Sequence, residues 1–313
     1  MKIGLLLPTR EAVLAGDYDA APQLELAERA EAAGFDSVWA GDSLLARPRL
    51  EPLTLLAAAA ARTRRVELGT AVLLAPLRNP VVLAHSVATV DRIAQGRLIL
   101  GVGFGTRTPN IEQEFRAADA DFEHRAGRLR EQMEICRLLW RGEPVTYAGR
   151  YWNLEQATLL PTPHRKGGPP FWVGGGGPMS TRIAGRHGDG YFPVSATLEQ
   201  MATAWRAAKQ EAPPGKRLSL AFYTTVNVTS DQSRGQRELE EFVERYYGAP
   251  FARMASRQGC VAGTADACMD WLTPFIELGV DHIILRIGSH DQATQFQRVV
   301  TELLPRLREL RPG

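Results

Sequence analysis

Short apolar runs alternate along this chain with longer segments whose apolar residues recur at helical spacing. The runs that are typical of strands are KIGLLLP (2–8), DSVWAG (36–41), VELGTAVLLAP (66–76), RLILGVGFG (97–105), PFWV (170–173), GYFPV (190–194), LSLAFYTTVNVT (218–229) and DHIILRI (281–287). The first four begin about 30 residues apart, which is the length of a strand–helix–strand unit. The pattern therefore predicts repeated units in which a helix follows each strand.

Helical periodicity lies between these runs, and three further segments depart from the repeat. The predicted helices cover residues 24–35, with Gly34 as the stop signal, 52–63, 80–93, with Pro80 at the first position, and 122–142. Alternation around a central glycine predicts a β-hairpin over residues 145–154. Residues 104–121 are expected to form a long loop, and the polar stretch 230–259 a helical insertion.

Eight predicted strands with helices between them favour an α/β fold, and a closed (β/α)8 TIM barrel is the simplest arrangement of eight such units. Its insertions would follow strand 4 and lie between strands 7 and 8, within a single domain over residues 1–313. The alternative is an open doubly wound sheet, whose best support is Gly101-Val-Gly103-Phe-Gly105. That stretch reads GxGxG rather than GxGxxG, and no helix is expected directly after it, so the barrel is favoured.

Composition and charge narrow the class of protein. The net charge of +2 gives no argument for a nucleic-acid or membrane partner, and the hydrophobic content of 44% is ample for a core. Three cysteines without CxxC spacing argue against a disulfide framework or a metal site. The apolar start is too short for a signal peptide, and no segment approaches a membrane span. A cytoplasmic protein is therefore expected.

The carboxyl ends of the predicted strands, where barrel enzymes hold their active sites, are rich in glycine and poor in charge. They carry neither the carboxylate pair of a glycosidase nor HExxH, GxSxG or GK[ST]. Such a face suits a flat organic cofactor that supplies the chemistry. Arg286 ends strand 8 on this face, and it is expected to meet a substrate anion or a cofactor phosphate, or else to form a structural salt bridge.

Four consecutive glycines follow the fifth strand in PPFWVGGGGPMS (169–180). A strand, a glycine turn and a helix beginning at Pro178 would aim backbone N–H groups at an anion, assisted by the helix dipole. Gly176 and Gly177 would allow a phosphate to approach closely, and Ser180 could add its hydroxyl. The alternative is a tight turn that packs strand against helix without a ligand.

Several motifs in the same order resemble the bacterial luciferase-like monooxygenase superfamily. They are GTAVLLAPLRNPVVLAHSVATVDRIAQGRLILGVGFG, GEPVTYAGRYWNLEQATLLPTP, PPFWVGGGGPMSTRIAGRHGDGYFPV and the closing GCVAGTADACMDWLTPFIELGVDHIILR. The resemblance extends over nearly the whole chain. It implies a TIM barrel that binds FMN, or the deazaflavin coenzyme F420, at its carboxyl face, and it favours a homodimer.

The resemblance also implies roles for particular residues. The cofactor phosphate loop would be Gly174, Gly175, Gly176, Gly177, Pro178 and Met179 with Ser180, and Gly103, Gly105 and Thr106 would line the cofactor. Thr70, Ala71 and Val72 match a third-strand bulge that often holds a non-proline cis peptide, here expected at Ala71–Val72. Asp42 and Ser43 match the catalytic position at the end of strand 2.

Two departures from the family pattern bear on the reaction. Deazaflavin-dependent sugar-phosphate and alcohol dehydrogenases of the family usually carry Asp-His where this chain has Asp42-Ser43, and serine is a poor base without help. The sugar-phosphate enzymes also carry a glutamate where this chain has Thr106. The resemblance therefore favours a monooxygenase or reductase that uses reduced FMN from a separate reductase on a small organic substrate. The alternatives are an F420-dependent oxidoreductase of the same fold and a non-catalytic flavin- or ligand-binding relative.

Overall fold

The structure is a computed structural model that describes residues 1–310. Its strands are β1 (Lys2–Leu6), β2 (Ser37–Ala40), β3 (Glu67–Thr70), β4 (Leu73–Leu74), β5 (Leu98–Gly103), β6 (Val145–Ala148), β7 (Asn153–Ala157), β8 (Phe171–Gly174), β9 (Gly190–Phe192), β10 (Ser219–Val228), β11 (Gly259–Gly263) and β12 (His282–Ile287). The strands of the central sheet are almost wholly buried, which explains their near-continuous apolar runs.

The helices are α1 (Thr9–Leu14), α2 (Ala21–Ala33), α3 (Pro52–Arg62), α4 (Pro80–Ile93), α5 (Pro109–Ala117), α6 (Arg125–Leu139), α7 (Pro178–His187), α8 (Leu198–Glu211), α9 (Gln232–Tyr247), α10 (Phe251–Ala255), α11 (Ala265–Glu277), α12 (Gln292–Arg298) and α13 (Leu304–Glu309). A 3₁₀ turn covers Ala75–Leu77, and a π-helical turn, Val299–Leu303, joins α12 to α13. Among the described residues, no helix combines the length and apolar character that crossing a membrane requires.

The central sheet closes into a parallel barrel. Pairing runs from β1 through β2, β3, β5, β8 and β9 to β10, and β10 pairs with β12, which returns to β1. The register across the closing pair matches Thr225 with Arg286. The predicted TIM barrel is therefore confirmed, and so are the antiparallel hairpin of β6 and β7 and the helical character of the stretch before β11.

The structure corrects the sequence prediction at three places. Residues 104–121 are not a loop throughout, because Pro109–Ala117 form α5. The third predicted strand is interrupted, since β3 ends at Thr70 and β4 resumes at Leu73. Helix α1 and strand β11 were not predicted, and β11 lies outside the ring beside the last residues of β10.

Two tryptophans fill the barrel interior. The rings of Trp39 and Trp172 lie 5.6 Å apart between centroids, and both pack edge-on against the imidazole of His282. Glycines provide the room: a Cβ on Gly69 would overlap the Trp39 ring, and one on Gly190 would lie 2.5 Å from Trp172 Cδ1. The interior is thus a packed core below the carboxyl face, as in other barrels of this type.

Candidate active site at the carboxyl face

The glycine run forms the turn between β8 and α7. The backbone of Gly175 has φ +143°, a conformation that residues with a side chain rarely adopt. The Gly175 carbonyl accepts a hydrogen bond from the Tyr191 hydroxyl at 2.9 Å. Gly176 and Gly177 are exposed, and a Cβ built on Gly177 would meet no atom within 4 Å. The turn therefore presents bare backbone at the beginning of a ten-residue helix.

Three backbone N–H groups of this turn make no hydrogen bond to the described part of the protein. Gly175 donates to Phe192, and Gly177 donates to the Ser180 hydroxyl at 3.1 Å. The N–H groups of Gly176, Met179 and Ser180 have no acceptor among residues 1–310. The Ser180 hydroxyl donates to the Gly177 carbonyl at 2.7 Å, so the side chain of Ser180 is engaged within the turn. Of the Ser180 groups, only the backbone N–H has no hydrogen-bond acceptor within residues 1–310.

The third-strand bulge lies beside this turn. The peptide bond between Ala71 and Val72 is cis, as the resemblance implies. The Val72 side chain fits against bare backbone of two neighbouring strands, because a Cβ on Gly103 or Gly174 would lie 2.8 Å from a Val72 methyl carbon. The Thr70 hydroxyl donates to the Gly101 carbonyl at 2.6 Å. Thr70 is thus held within the sheet, whereas Ala71 and Val72 remain partly exposed at the barrel mouth.

Asp42 follows the end of β2 close to this bulge, but its carboxylate is occupied. One oxygen accepts from the Leu74 N–H at 2.9 Å and from Arg78 Nη1 at 2.7 Å, and the side chain is only 4% exposed. Burial alone would lower the pKa of Arg78. The negative charges of Asp42 and Glu51, and the hydrogen bonds that Arg78 donates to both, outweigh burial and raise this pKa. Asp42 therefore joins β2 to the segment after β4.

Ser43 is buried and engaged as well. Its hydroxyl donates to Glu114 Oε1 at 3.0 Å and accepts from the Arg47 N–H at 2.8 Å. The same Glu114 oxygen accepts from the N–H groups of Leu44 and Leu45. Glu114 belongs to α5 and is fully buried, with its second oxygen unpartnered. A carboxylate from the helix after β5 thus organises the loop after β2.

The residues at the end of β5 and just after it differ in their exposure to solvent. Gly103 is buried against Val72, and Gly105 turns the chain toward α5 with φ +77°. Thr106 is exposed. The position at which the resemblance implies a glutamate in the sugar-phosphate enzymes therefore carries a hydroxyl in this chain.

Arg286 lies on the carboxyl face but beneath a layer of aromatic rings. It is 1% exposed and donates to the Thr225 hydroxyl at 3.0 Å and to the Tyr247 hydroxyl at 3.2 Å. Its guanidinium lies 4.4 Å from the centre of the Tyr246 ring and 5.6 Å from that of Tyr223. Its second terminal nitrogen, Nη2, has no partner. No carboxylate lies within ion-pair distance of this buried cation in the described part of the chain, but the charge of the buried Glu11 carboxyl helps to raise the pKa of Arg286.

Tyr223 is a further polar residue of this cluster, two residues before Thr225 on β10. It is half-buried on β10, beside the same interior layer that Ala71 contacts, and its hydroxyl has no hydrogen-bond partner among residues 1–310. Burial raises the pKa of Tyr223 well above its ordinary value, although the Arg286 charge opposes this. The phenol therefore stays protonated at neutral pH and can donate a hydrogen bond.

Glu114 and Tyr223 were not identified from the sequence. Glu114 lies in a segment that the sequence predicts to be a loop. Tyr223 lies in the middle of an apolar strand, and its pattern does not indicate that a buried arginine lies nearby. The only available signal was for Glu114, because Ile111, Glu114 and Phe115 have helical spacing.

The chain belongs to the luciferase-like monooxygenase family, whose model matches residues 1–282. It is 30% identical to an F420-dependent glucose-6-phosphate dehydrogenase of Nocardia farcinica, over 92% of this chain and 94% of that one. The monooxygenase RslO1 from Streptomyces bottropensis is 25% identical, with a TM-score of 0.79 over 98% of this chain and all of the other. An F420-dependent secondary alcohol dehydrogenase in complex with an F420–acetone adduct has the same fold, with a TM-score of 0.79, 22% identity and coverage of 97% and 98%.

These relatives confirm the expectation of an oxidoreductase at the level of the family. They do not confirm reduced FMN as the cofactor, since the glucose-6-phosphate dehydrogenase, at 30% identity, is described as F420-dependent. The findings therefore favour the alternative coenzyme over the one first expected.

Proposed function

We propose that this protein is an F420-dependent oxidoreductase that acts on a small organic substrate, and that it works in the direction of substrate reduction. The observation that carries the proposal is the glycine turn before α7, where Gly176, Met179 and Ser180 offer N–H groups to a phosphate at the barrel mouth. The 30% identity to an F420-dependent dehydrogenase over most of both chains supports the choice of coenzyme.

The residues present fit a flat coenzyme at this place. Val72 and the glycines beside it would support the ring system, and the turn from Gly174 to Gly177 would hold the phosphate. Bound there, F420 supplies a hydride carrier. The chain's own part is to bind and orient the two reactants and to exclude water from between them.

The direction of reaction follows from the polar groups at the mouth. Dehydrogenation of an alcohol needs a base to take the hydroxyl proton. Here Asp42 is paired with Arg78, and the Ser43 hydroxyl donates to Glu114, so neither is arranged as a base. Tyr223 is a protonated phenol with an unused hydrogen, which suits a substrate oxygen that gains negative charge. Reduction of a polarised double bond or nitro group needs no protein base.

We assign the substrate side of the site to Tyr223 with Arg286 beneath it. Arg286 is buried, with the carboxyl of Glu11 and three tyrosines as its electrostatic neighbours, and its positive charge favours electron-rich groups placed near the tyrosine layer. A substrate with a carbonyl, nitro or carboxylate oxygen directed at the Tyr223 hydroxyl fits this arrangement. Tyr223→Phe should lower turnover of such a substrate by about 10- to 100-fold while leaving coenzyme affinity unchanged.

The coenzyme is tested by titrating purified protein with F420 and, separately, with FMN, following ligand fluorescence and melting temperature. F420 at many times its dissociation constant should stabilise the fold by about 2–4 kcal/mol, and FMN should stabilise it less. Gly177→Val should abolish binding without lowering the melting temperature of the empty protein, because its side chain would enter open space in front of the turn. If neither coenzyme shifts the melting temperature at high micromolar concentration, the proposal is wrong.

A second candidate is a monooxygenase that uses reduced FMN from a separate reductase. The 25% identity to RslO1 over almost the whole of both chains favours it. Stabilisation by FMN with no response to F420 would establish this candidate in place of the first.

A further inference from the structure

Four arginines gather on the carboxyl face around a layer of tyrosine rings. We call this group, with its carboxyl, the arginine cluster; its members are Arg10, Arg47, Arg49, Arg286, Glu11, Tyr223, Tyr246 and Tyr247. The guanidinium of Arg10 lies 5.2 Å from the centre of the Tyr246 ring, and that of Arg49 lies 5.8 Å from the same centre. The guanidinium of Arg47 lies 5.1 Å from the centre of the Tyr247 ring. The fold therefore brings four positive charges to one aromatic layer.

Neutral groups of the protein hold these arginines in place. Arg10 donates to the Tyr246 carbonyl at 2.8 Å, and Arg49 donates to the Tyr246 hydroxyl at 3.1 Å. The side chain of Arg47 has no hydrogen-bond acceptor within residues 1–310, and it is held by its contact with Tyr247. Arg47 and Arg49 are both partly exposed. These two residues of the loop after β2 are therefore the members that a ligand can reach from solvent.

The positive charge of the cluster exceeds the negative charge of its carboxyl. None of the four guanidinium groups forms an ion pair within residues 1–310, and Glu11 supplies at most one negative charge. The arginines also repel one another, because burial lowers the pKa of Arg10 and the charges of Arg49 and Arg47 lower it further. Arg286 Nη2 is buried without a partner in the same part of the chain. Burying charge without a counter-charge is costly, so a bound anion would stabilise the cluster.

The arginine cluster and the glycine turn lie on opposite sides of the barrel mouth. The cluster residues lie on, or on the segments that follow, β10, β12, β1 and β2, which are consecutive neighbours in the ring. The glycine turn follows β8, which is four strands from β1 in either direction around the barrel. A coenzyme whose phosphate is bound at the turn would therefore leave the cluster to the second reactant.

We propose that the arginine cluster binds a substrate with two negative charges on carboxylate or phosphate oxygens, with Arg47 and Arg49 as its direct contacts. This inference rests on the proposed function and names the class of substrate. Guanidinium groups pair with the oxygens of carboxylates and of phosphates alike, so a dicarboxylate and a phosphate monoester share the required chemistry. Two charges are assigned because four guanidinium groups face one carboxyl, and a single negative charge would leave most of the excess in place.

Binding is tested on the coenzyme-free protein, so that the result does not depend on turnover. The probes are succinate and inorganic phosphate as dianions, acetate as a monoanion and succinamide as a neutral compound. Calorimetric titration and melting temperature follow binding at mildly alkaline pH and at two salt concentrations. At least one dianion should bind about tenfold more tightly than acetate and more weakly at high salt, and succinamide should not bind. Preference for succinate would identify a dicarboxylate substrate, and preference for phosphate a phosphate monoester.

Arg47→Gln removes one charge of the cluster without removing a hydrogen bond of the side chain within residues 1–310. It should weaken the preferred dianion about two- to fivefold, as expected for loss of one partly exposed charge pair. Arg150→Gln is the matched control, because Arg150 is exposed and stacks on Tyr151 at 5.4 Å but lies in the turn between β6 and β7. The control should not alter dianion affinity, and the two variants should have similar melting temperatures without ligand.

The outcomes separate this inference from the coenzyme assignment. Failure of both dianions to bind, or equal dianion affinity of the unaltered protein and Arg47→Gln, overturns the substrate site. Binding of F420 to the same protein would then leave the coenzyme assignment intact. Dianion binding that Arg47→Gln weakens, without any response to F420 or FMN, keeps the anion site and overturns the coenzyme assignment.

Discussion

The Ser43 hydroxyl donates to Glu114 Oε1 at 3.0 Å, although 71 residues separate the two in the chain. The same oxygen accepts the N–H groups of Leu44 and Leu45. A buried carboxylate satisfied by three donors is held strongly, since hydrogen bonds to charged groups are the stronger ones. Helix α5 and the loop after β2 therefore form one unit at the barrel mouth.

Replacing Glu114 should loosen this unit. Glu114→Ala leaves the buried Ser43 hydroxyl and the part-buried N–H groups of Leu44 and Leu45 without their acceptor, and it should cost about 1–3 kcal/mol in the free energy of unfolding. Glu112→Gln, a partly exposed position on the same helix, should change it by less than about 0.5 kcal/mol. Urea unfolding of both variants measures the difference, and equal stability of the two would show that Glu114 does not anchor the loop.

The glycine turn offers a matched pair of substitutions. A Cβ on Gly174 would lie 2.8 Å from Val72 Cγ1, whereas one on Gly177 would enter open space. Gly174→Ala should therefore destabilise the protein by about 1–3 kcal/mol through overpacking. Gly177→Ala, at φ −102°, should be neutral or slightly stabilising. Thermal unfolding distinguishes them, and a similar loss in both would contradict the close packing of Val72 against β8.

Asp42 is expected to act on stability rather than on proton transfer. Asp42→Asn removes the charge that Arg78 faces, at a pair that is nearly buried on the aspartate side, and should cost about 1–3 kcal/mol. A double-mutant cycle with Arg78→Met should give a favourable coupling energy between the two side chains. An Asp42→Asn variant with unchanged stability and lost turnover would instead place the residue in the chemistry.

Stability should fall at acid pH because of His282. Its Nε2 lies 2.6 Å from the Ser37 hydroxyl, which also accepts from the Trp39 indole at 2.7 Å. Burial, with smaller contributions from the nearby charges of Lys2 and the amino terminus, lowers the pKa of His282 to about 3. The unfolded chain, with a pKa of about 6.5, binds the proton more readily.

The stability that His282 contributes is therefore complete above about pH 6.5 and is lost as the pH falls toward 3, by at most about 1.4 kcal/mol per pH unit. His282→Gln should flatten this part of the pH profile of unfolding, even if it lowers stability at pH 7. His85→Gln, exposed on α4, should leave the profile unchanged. A profile that His282→Gln does not alter would contradict the assignment.

Local pattern predicted most of the barrel because each strand is buried on both faces. Strands such as β10 and β12 therefore appear as apolar runs that can be recognised without knowledge of their neighbours. The helix α5 escaped prediction because one of its three buried positions is Glu114, whose partners lie in another loop. A polar residue at a buried position disguises the helical period.

The sequence by itself determined the order of the eight barrel strands, the glycine turn before α7 and the place of Arg286 at the carboxyl face. These depend on local periodicity, on glycine's conformational freedom and on the common direction of parallel strands. Only the tertiary structure decided which polar groups are occupied. Asp42 and Ser43 are engaged by Arg78 and Glu114, residues brought to them by barrel closure, and Tyr223 is left with an unused hydroxyl. Partners that are distant in the chain decide the chemistry of each side chain, and pattern along the chain does not record them.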